Sequence, residues 1–167
     1  MGRQPTKAAD NPWCQARLKA ATWNEKLASR AGAAEAIGMS EDAIRNTELG
    51  LEKCMPVEKA VLLADLYNAP ELKNLFCREY CPIGSELPLS ERINSIERIV
   101  VKLLLNFEPE KTEKMRKVLL EIASDGNITQ DEVVKLDSVI AYFNRISKTV
   151  SELKTLNEKV KHGQGIG

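Results

Sequence analysis

Apolar residues recur in steps of three and four along most of this chain, which predicts helices rather than strands. The first such run lies between residues 11 and 29. It is opened by Asn11, a natural N-cap, and by Pro12, which suits the first turn of a helix. Its apolar positions are Trp13, Ala16, Ala20, Trp23 and Leu27. They predict a single helix through about Ser29 with one buried face.

Two short helices around a tight turn are predicted between Ser29 and Gly50. Ala34 is small enough for a close crossing of the two helices, and Gly38 suits a turn whose backbone needs positive φ. The hydroxyl of Ser40 is placed to cap the second helix. A unit of this kind most often presents its second helix to the DNA major groove, so the pattern predicts a helix-turn-helix.

Pro56 and Pro70 open two further helices, which complete a five-helix module over residues 11–81. Residues 1–10 are polar and show no periodicity, so we expect a flexible arm there. Residues 82–88, PIGSELP, form the only clear break in the middle of the chain and predict a linker.

Beyond this linker the apolar positions step 4, 3, 4, 3, 4, which is a heptad pattern. These positions are Leu89, Ile93, Ile96, Val100, Leu103 and Phe107. Pro109 opens a second helix, and Thr129 with Glu132 makes a capping box for a third that runs to about Lys161. The tail, residues 162–167, is predicted to be disordered.

The last helix carries a second long apolar stripe, formed by Val139, Phe143, Ile146, Val150, Leu153 and Val160. Two such stripes expose more apolar surface than one small bundle easily hides. We therefore predict that residues 89–161 form a helical oligomerisation domain of about three helices, and that residues 89–160 pair two chains into a homodimer. The alternative is a self-contained antiparallel helical domain. On the same stripe, Asn157 either fixes the register of paired helices or is solvated near a fraying end.

Composition narrows the class of protein. Hydrophobic residues make up 43% of the 167 residues but aromatic residues only 5%, so the core is mostly aliphatic. No stretch approaches ~18 apolar residues, and the N-terminus lacks a secretory signal, so no membrane partner is expected and the cytoplasm is the expected location. The 24 basic and 24 acidic residues balance. This neutrality removes the simplest electrostatic argument for DNA binding.

Three segments, AAEAIGMS, EDAIRNTELG and PVEKAVLLADLY, together resemble the Cro/repressor-type helix-turn-helix proteins, also called the xenobiotic-response-element family. The resemblance spans about residues 13–75. It rests on Ala34, Gly38, Ser40, Ile44, Glu48, Gly50 and Pro56, which stand in the family's order and spacing. The segment LADLYNAPELKNLFCREYCPIG resembles one in phage- and mobile-element-associated members. The resemblance implies an all-α, five-helix DNA-binding domain, usually dimeric, that represses or activates transcription.

Three departures from the family pattern bear on DNA contact. Arg30 replaces a polar glutamine that usually contacts the DNA backbone, and it can bind phosphate at least as well. Leu49 replaces a polar or basic residue, which removes one possible contact. Glu41 and Asp42 begin the recognition helix, where carboxylates repel phosphate but also favour the first helical turn.

The candidate base-reading residues lie on the helix that starts at Ser40. Arg45 can pair with guanine O6 and N7, Asn46 with adenine N6 and N7, and Glu41 is a third candidate. The alternative is a solvated face on which Arg45 bridges to Glu41 or Glu48. Glu48 itself is predicted to close the end of the recognition helix through an ion pair or a backbone hydrogen bond.

The residues predicted to bind double-stranded DNA also include Ser40, at the start of that helix, and residues that contact the phosphate backbone. Ser29 and Arg30 bring backbone N–H groups and a cation to the start of a helix, which favours a phosphate. Lys53 and Lys59 could extend that contact. Arg3 and Lys7, in the arm, could reach a minor groove.

No catalytic set is evident, because the single histidine, His162, lies in the tail and no phosphate-binding loop is present. We predict a protein that is not an enzyme and needs no cofactor or metal. The cysteines Cys14, Cys54, Cys77 and Cys81 lack zinc-site spacing and are interpreted as reduced apolar residues. Two other functions remain open. One is a protein-interaction adaptor that keeps the helix-turn-helix scaffold without binding DNA, and the other is a metal- or thiol-responsive regulator that uses Cys77 and Cys81.

Overall fold

The computed structural model of this protein describes residues 8–162. The predicted contacts of Arg3 and Lys7, and most of the predicted tail, lie outside the described residues. Within residues 8–162 the chain forms eight α-helices and no β-strand, which confirms the all-α prediction. None of these helices offers a stretch long and apolar enough to span a bilayer.

The helices fall into two compact units. Their bounds are α1 Pro12–Ala20, α2 Arg30–Ile37, α3 Glu41–Leu49, α4 Val57–Leu66, α5 Glu71–Tyr80, α6 Ile96–Asn106, α7 Pro109–Ile122 and α8 Gln130–Lys161. The first unit holds the described residues up to Leu87 together with the last turn of α8 from Glu158. The second unit is Pro88–Asn157.

The first helix is shorter than its apolar spacing predicts. It starts as expected, with the Asn11 side chain accepting a hydrogen bond of 2.9 Å from Trp13 N. It ends at Ala20, and a separate 3-10 helix over Glu25–Ala28 takes the place of the predicted continuation. Trp23, which the pattern places on the buried face, is 41% exposed. The backbone extends at Asn24 (φ −136°, ψ 94°), and this redirects the chain so that Leu27 can still enter the core.

Small residues allow close packing in the first unit. Ala33 and Ala34 on α2 are buried, as are Ala60 and Ala64 on α4. The larger side chains that fill the space between the helices are Leu27, Ile44 and Leu63, each at most 1% exposed. Ala34 therefore lies in the core, where the sequence predicts a close helix crossing.

The turn between α2 and α3 has the geometry expected of it. Gly38 adopts φ +67°, a left-handed conformation that glycine enters without steric cost. Ser40 caps α3 by accepting a hydrogen bond of 3.2 Å from Ala43 N. At the other end of α2, Gly32 lies so close to the preceding 3-10 helix that a Cβ there would be 1.9 Å from the Lys26 carbonyl oxygen.

Two segments at the ends of the first unit differ from their predicted roles. Ala8, at the end of the predicted arm, is buried, and its carbonyl accepts a hydrogen bond from Asn11 N. Of the predicted linker over 82–88, the residues up to Leu87 belong to the first unit and include a 3-10 helix over Gly84–Glu86. Ala8 and residues 84–86 thus make defined local contacts in the first unit.

In the second unit α6 runs antiparallel to α8. Near the end of α6, the Asn106 carbonyl accepts a hydrogen bond from the Tyr142 hydroxyl. Before its start, Asn94 N donates to Glu152 Oε1 at 2.7 Å. The predicted heptad run from residue 89 becomes helical only at Ile96, because the preceding residues form no regular secondary structure and contact α8, as Asn94 does.

Candidate functional site

The candidate site is the exposed side of α3 and the start of α2. Ile44, Thr47 and Glu48 form the buried face of α3. Glu41, Asp42 and Arg45 are exposed on its other side, while Asn46 is half-buried. The buried face packs α3 against the rest of the first unit, and the opposite face is presented to solvent.

A buried ion-pair cluster holds the end of α3. Glu48, only 1% exposed, accepts a hydrogen bond of 2.5 Å from Arg17 Nε through Oε1 and one of 2.6 Å from Arg30 Nε through Oε2. The Arg17 guanidinium also donates to the carbonyls of Leu27 and Ala28, at 2.9 and 2.8 Å. The Glu48 carboxylate therefore links α3 to α1 and to α2, and the Arg17 guanidinium extends this link to the 3-10 helix. We name Arg17, Arg30 and Glu48 the Glu48 cluster.

The charges of the Glu48 cluster shift the pKa values of its members. Burial by itself raises the pKa of the Glu48 carboxyl, but the hydrogen bonds from Arg17 and Arg30 outweigh burial and hold that pKa below its ordinary value. Burial raises the pKa of the adjacent Cys14 thiol, and the negative charge of Glu48 adds to this effect. Glu48 is therefore ionised and Cys14 is a neutral thiol near pH 7.

A second buried cluster holds the middle of α3. Lys59 on α4 is 4% exposed, and its Nζ donates to the Ala43 carbonyl at 2.8 Å and to Glu52 Oε1 at 2.5 Å. The Thr47 hydroxyl lies 3.0 Å from both Ala43 O and Glu52 Oε2, and its single hydrogen is shared between these two acceptors. Because Lys59 is buried and paired in this way, its predicted phosphate contact is wrong. We name Thr47, Glu52 and Lys59 the Lys59 cluster.

The residues predicted to contact phosphate lie in different settings. Ser29 is exposed, and its hydroxyl oxygen caps α2 by accepting a hydrogen bond of 3.0 Å from Gly32 N. The Arg30 side chain is 30% exposed even though its Nε is held by Glu48. Lys53 is exposed in the loop that follows α3. Ser29 and Arg30 are thus adjacent at the start of α2, where the backbone N–H groups of a helix favour an anion.

Charges on the exposed side of α3 are mixed. Arg45 Nη1 lies 3.6 Å from Asp42 Oδ1, and both side chains are largely exposed. The sequence suggested Glu41 or Glu48 as the partner of Arg45, but the pairing is with Asp42 instead. An ion pair this exposed has a small net energy. Arg45 can therefore exchange this partner for another at little cost.

The cysteines are free thiols in the described part of the chain. Cys14 is buried, Cys54 is exposed, and Cys77 and Cys81 are half-buried on and just after α5. Cys81 Sγ accepts a hydrogen bond of 3.4 Å from Gly84 N. Between residues 8 and 162 no group of three or more histidine, cysteine or acidic side chains is arranged to hold a metal ion.

Sequence reasoning missed Arg17 and Glu52 as parts of the site. Arg17 lies 31 residues before Glu48, and its charge interrupts the apolar face of α1. That interruption was the available signal, because an arginine at a buried position requires a carboxylate partner. Glu52 carried no comparable signal, since it lies in a loop.

The chain matches no protein-family model, no curated protein and no solved structure. The functional interpretation therefore depends on the geometry of α2 and α3 and on the chemistry of their side chains.

Proposed function

We propose that this protein is a sequence-specific DNA-binding transcription regulator of the Cro/repressor helix-turn-helix type, with α3 as the helix that enters the major groove. The observation that supports the proposal most directly is the separation of the two sides of α3. The buried side is held at Thr47 and Glu48 by two polar clusters, and the opposite side carries exposed side chains. A recognition helix needs this arrangement, because base readout requires side chains presented from a fixed backbone.

In this proposal Arg45 reads guanine through O6 and N7, and Asn46 reads adenine through N6 and N7. Glu41, near the start of α3, accepts a hydrogen bond from cytosine N4. The exposed Arg45–Asp42 pair opens when Arg45 turns to a base, at small cost. Ser40 sets the start of the helix and so the height of these side chains in the groove.

The phosphate contacts come from Ser29, Arg30 and Lys53. The Glu48 cluster has two guanidinium groups and one carboxylate, so it carries a net charge of one positive unit. Part of that charge reaches solvent through Arg30. This charge adds to the positive end of the α2 dipole beside Ser29. The start of α2 is therefore a local source of positive potential in a chain with no net charge.

We further propose that two copies bind a two-fold-related operator, joined through their second units. A dimer matches operator symmetry and doubles the number of phosphate contacts. The basis for the pairing is the large exposed apolar surface of residues 88–157.

Selection from a random duplex library, followed by salt titration on the selected duplex, tests the proposal. We expect a consensus site and an affinity that falls steeply with salt, with a log–log slope near −0.9 per phosphate contacted. Arg45→Ala is expected to cost about 1–3 kcal/mol per half-site and to relax specificity at one base pair of each half-site. Arg116 on α7 is the matched control, because it is also exposed and paired at i, i+3. Selection of no consensus, or equal effects of Arg45→Ala and Arg116→Ala, would refute the proposal.

The second candidate function is a protein-interaction adaptor. The observation that favours it is the acidic start of α3, where Glu41 and Asp42 are exposed and Asp42 pairs with Arg45. Such a surface can dock a basic protein. In that case the folded wild-type protein shows no binding to a DNA duplex at low or at moderate salt.

A further inference from the structure

The second unit exposes more large apolar side chains than it buries. Between residues 88 and 157 five apolar side chains are buried, and thirteen large ones are at least 37% exposed. The exposed set is Ile96, Val100, Val101, Leu104, Leu105, Phe107, Leu119, Leu120, Ile128, Val133, Val134, Ile140 and Phe143. Such a side chain has ~60–120 Å² of apolar area when fully exposed, so thirteen that are about half exposed present on the order of 400–800 Å² over the whole unit. This surface is spread over α6, α7, α8 and the segments between them, so a single interface covers only part of it.

On α8 this surface has a defined pattern. Val133, Leu136, Ile140 and Phe143 follow each other in steps of three, four and three, and we name them the α8 seam. Val133, Ile140 and Phe143 are 38%, 47% and 46% exposed, and Leu136 is half-buried. A 3-4-3 spacing is the pattern with which one helix packs along another helix.

The α8 seam is not the face that α8 uses inside its own unit. The inward side chains are Val139 and Tyr142, which are 2% and 5% exposed. The Tyr142 hydroxyl binds the Asn106 carbonyl at the end of α6. The apolar side chains of α8 thus serve two neighbouring faces, and only one of them is covered by the chain itself.

The charges along α8 indicate what covers the other face. From residue 130 to 143 the helix has three acidic side chains and one basic, and from 144 to 157 it has three basic and one acidic. Two copies of α8 aligned antiparallel place each acidic half beside a basic half, whereas a parallel pair places like charges together. The second unit as a whole has eleven acidic and eleven basic residues, so two copies do not repel.

We infer that the α8 seam is the interface for a second copy of this chain, with the two α8 helices antiparallel around a two-fold axis near Ile140 and Phe143. Such an isologous interface pairs Ile140 of one copy with Phe143 of its partner. Asp137 of one copy then lies on the same flank as Lys148 of the second, and both side chains are exposed. This inference deepens the proposed function, because it specifies how the two DNA-binding units are joined. Only the biological role of the interface rests on the proposed function.

The oligomeric state of the full chain, measured without DNA by analytical ultracentrifugation from ~1 μM upward, tests the interface. We expect twice the chain mass of 18.6 kDa. Ile140→Asp is expected to raise the dimer dissociation constant at least 100-fold. The matched control is Val134→Asp, on the same helix, 72% exposed and outside the seam, which leaves the dimer intact. Circular dichroism confirms that both variants are helical, and Phe143→Asp replaces Ile140→Asp if the latter does not fold.

The orientation is tested by exchanging charges. Asp137→Lys and Lys148→Asp each weaken an antiparallel homodimer, because each places like charges together on the flank of the seam. An equimolar mixture of the two variants restores dimerisation as a heterodimer. A parallel pair gives single variants that dimerise like the wild type, and that result overturns the antiparallel arrangement.

The interface itself is overturned by a wild-type mass of one chain at all concentrations, or by folded Ile140→Asp protein that still dimerises. These outcomes are separate from the proposed function. A monomer that selects a DNA sequence refutes only the interface, and a dimer that ignores DNA refutes only the DNA-binding proposal.

Discussion

Arg17 Nε lies 2.5 Å from Glu48 Oε1, although 31 residues of chain separate them and both side chains are almost fully removed from solvent. Two charges buried together require each other, because removing one leaves the other without compensation. The pair joins the first helix of the unit to the end of α3. The position of α1 and the position of α3 are therefore coupled through this pair.

Replacing Glu48 by Ala is expected to lower the free energy of unfolding by about 3–5 kcal/mol, because the Arg17 guanidinium stays buried with only the Leu27 and Ala28 carbonyls to bind. Urea denaturation followed by circular dichroism measures the change. Glu113→Ala is the control, since Glu113 forms an exposed pair with Arg116, and its unfolding curve should match that of the wild type. Equal curves for Glu48→Ala and the wild type would contradict this interpretation of the cluster.

Stability is expected to fall in acid through Glu48. Its pKa is lower in the folded protein than in the unfolded chain, so the folded state binds fewer protons at this group. The resulting stabilisation is fully present above the ordinary value of about 4.5 and is lost as the pH falls through the folded pKa. Unfolding free energies measured between pH 3 and pH 7 should decline less steeply for Glu48→Gln than for the wild type. If the unfolding free energy of Glu48→Gln declines with pH as steeply as that of the wild type, Glu48 is not the cause of the loss of stability in acid.

Substitutions at Lys53 and Lys59 are expected to have different effects, the first on DNA binding and the second on the free energy of unfolding. Lys59→Met removes charged hydrogen bonds to Ala43 O and Glu52 and should cost about 1.5–3 kcal/mol of unfolding free energy. It should leave the salt slope of DNA binding unchanged. Lys53→Ala should leave stability unchanged and reduce the slope by about 1.8, the value for one phosphate on each of the two copies. A Lys59 variant with a reduced salt slope, compared at a temperature where it is fully folded, would contradict this assignment.

Gly32→Ala is expected to destabilise the protein even though alanine is the better helix former. A Cβ at this position meets the Lys26 carbonyl oxygen at 1.9 Å, so α2 and the 3-10 helix must separate. Forced overpacking of this kind costs about 1–3 kcal/mol. Chemical denaturation gives the change, and Ala31→Gly on the exposed side of the same helix gives the propensity effect alone, about 0.5–1 kcal/mol. A Gly32→Ala variant as stable as the wild type would show that the 3-10 helix can move.

Local signals in the sequence predicted helix ends better than helix partners. Asn11, Ser40 and Gly38 act through neighbours within a few residues, and each has its expected geometry. The break after Ala20 was not predicted, because Trp23 and Leu27 continue the apolar spacing of α1. Periodicity shows that a residue has an apolar neighbour but not whether that neighbour is on the same helix.

The same reason limits the prediction for α8. The stripe through Val139 and Phe143 combined two faces, since Val139 is 2% exposed and Phe143 is 46% exposed. Asn157 is exposed, which agrees with the solvated interpretation. Which residues pair within the buried polar clusters could not be predicted, because the members come from distant helices and meet only after the helices pack.

One side of α3 is anchored by buried clusters, the other side is exposed, and the two sides share no side-chain contact that the clusters depend on. Substitutions at Glu41, Asp42 and Arg45 touch neither Glu48 nor Lys59, so the outer surface can be rewritten while the scaffold stays intact. A chain built in this way can acquire a different target through a few outward changes, and a library randomised at these three positions should yield mostly folded proteins.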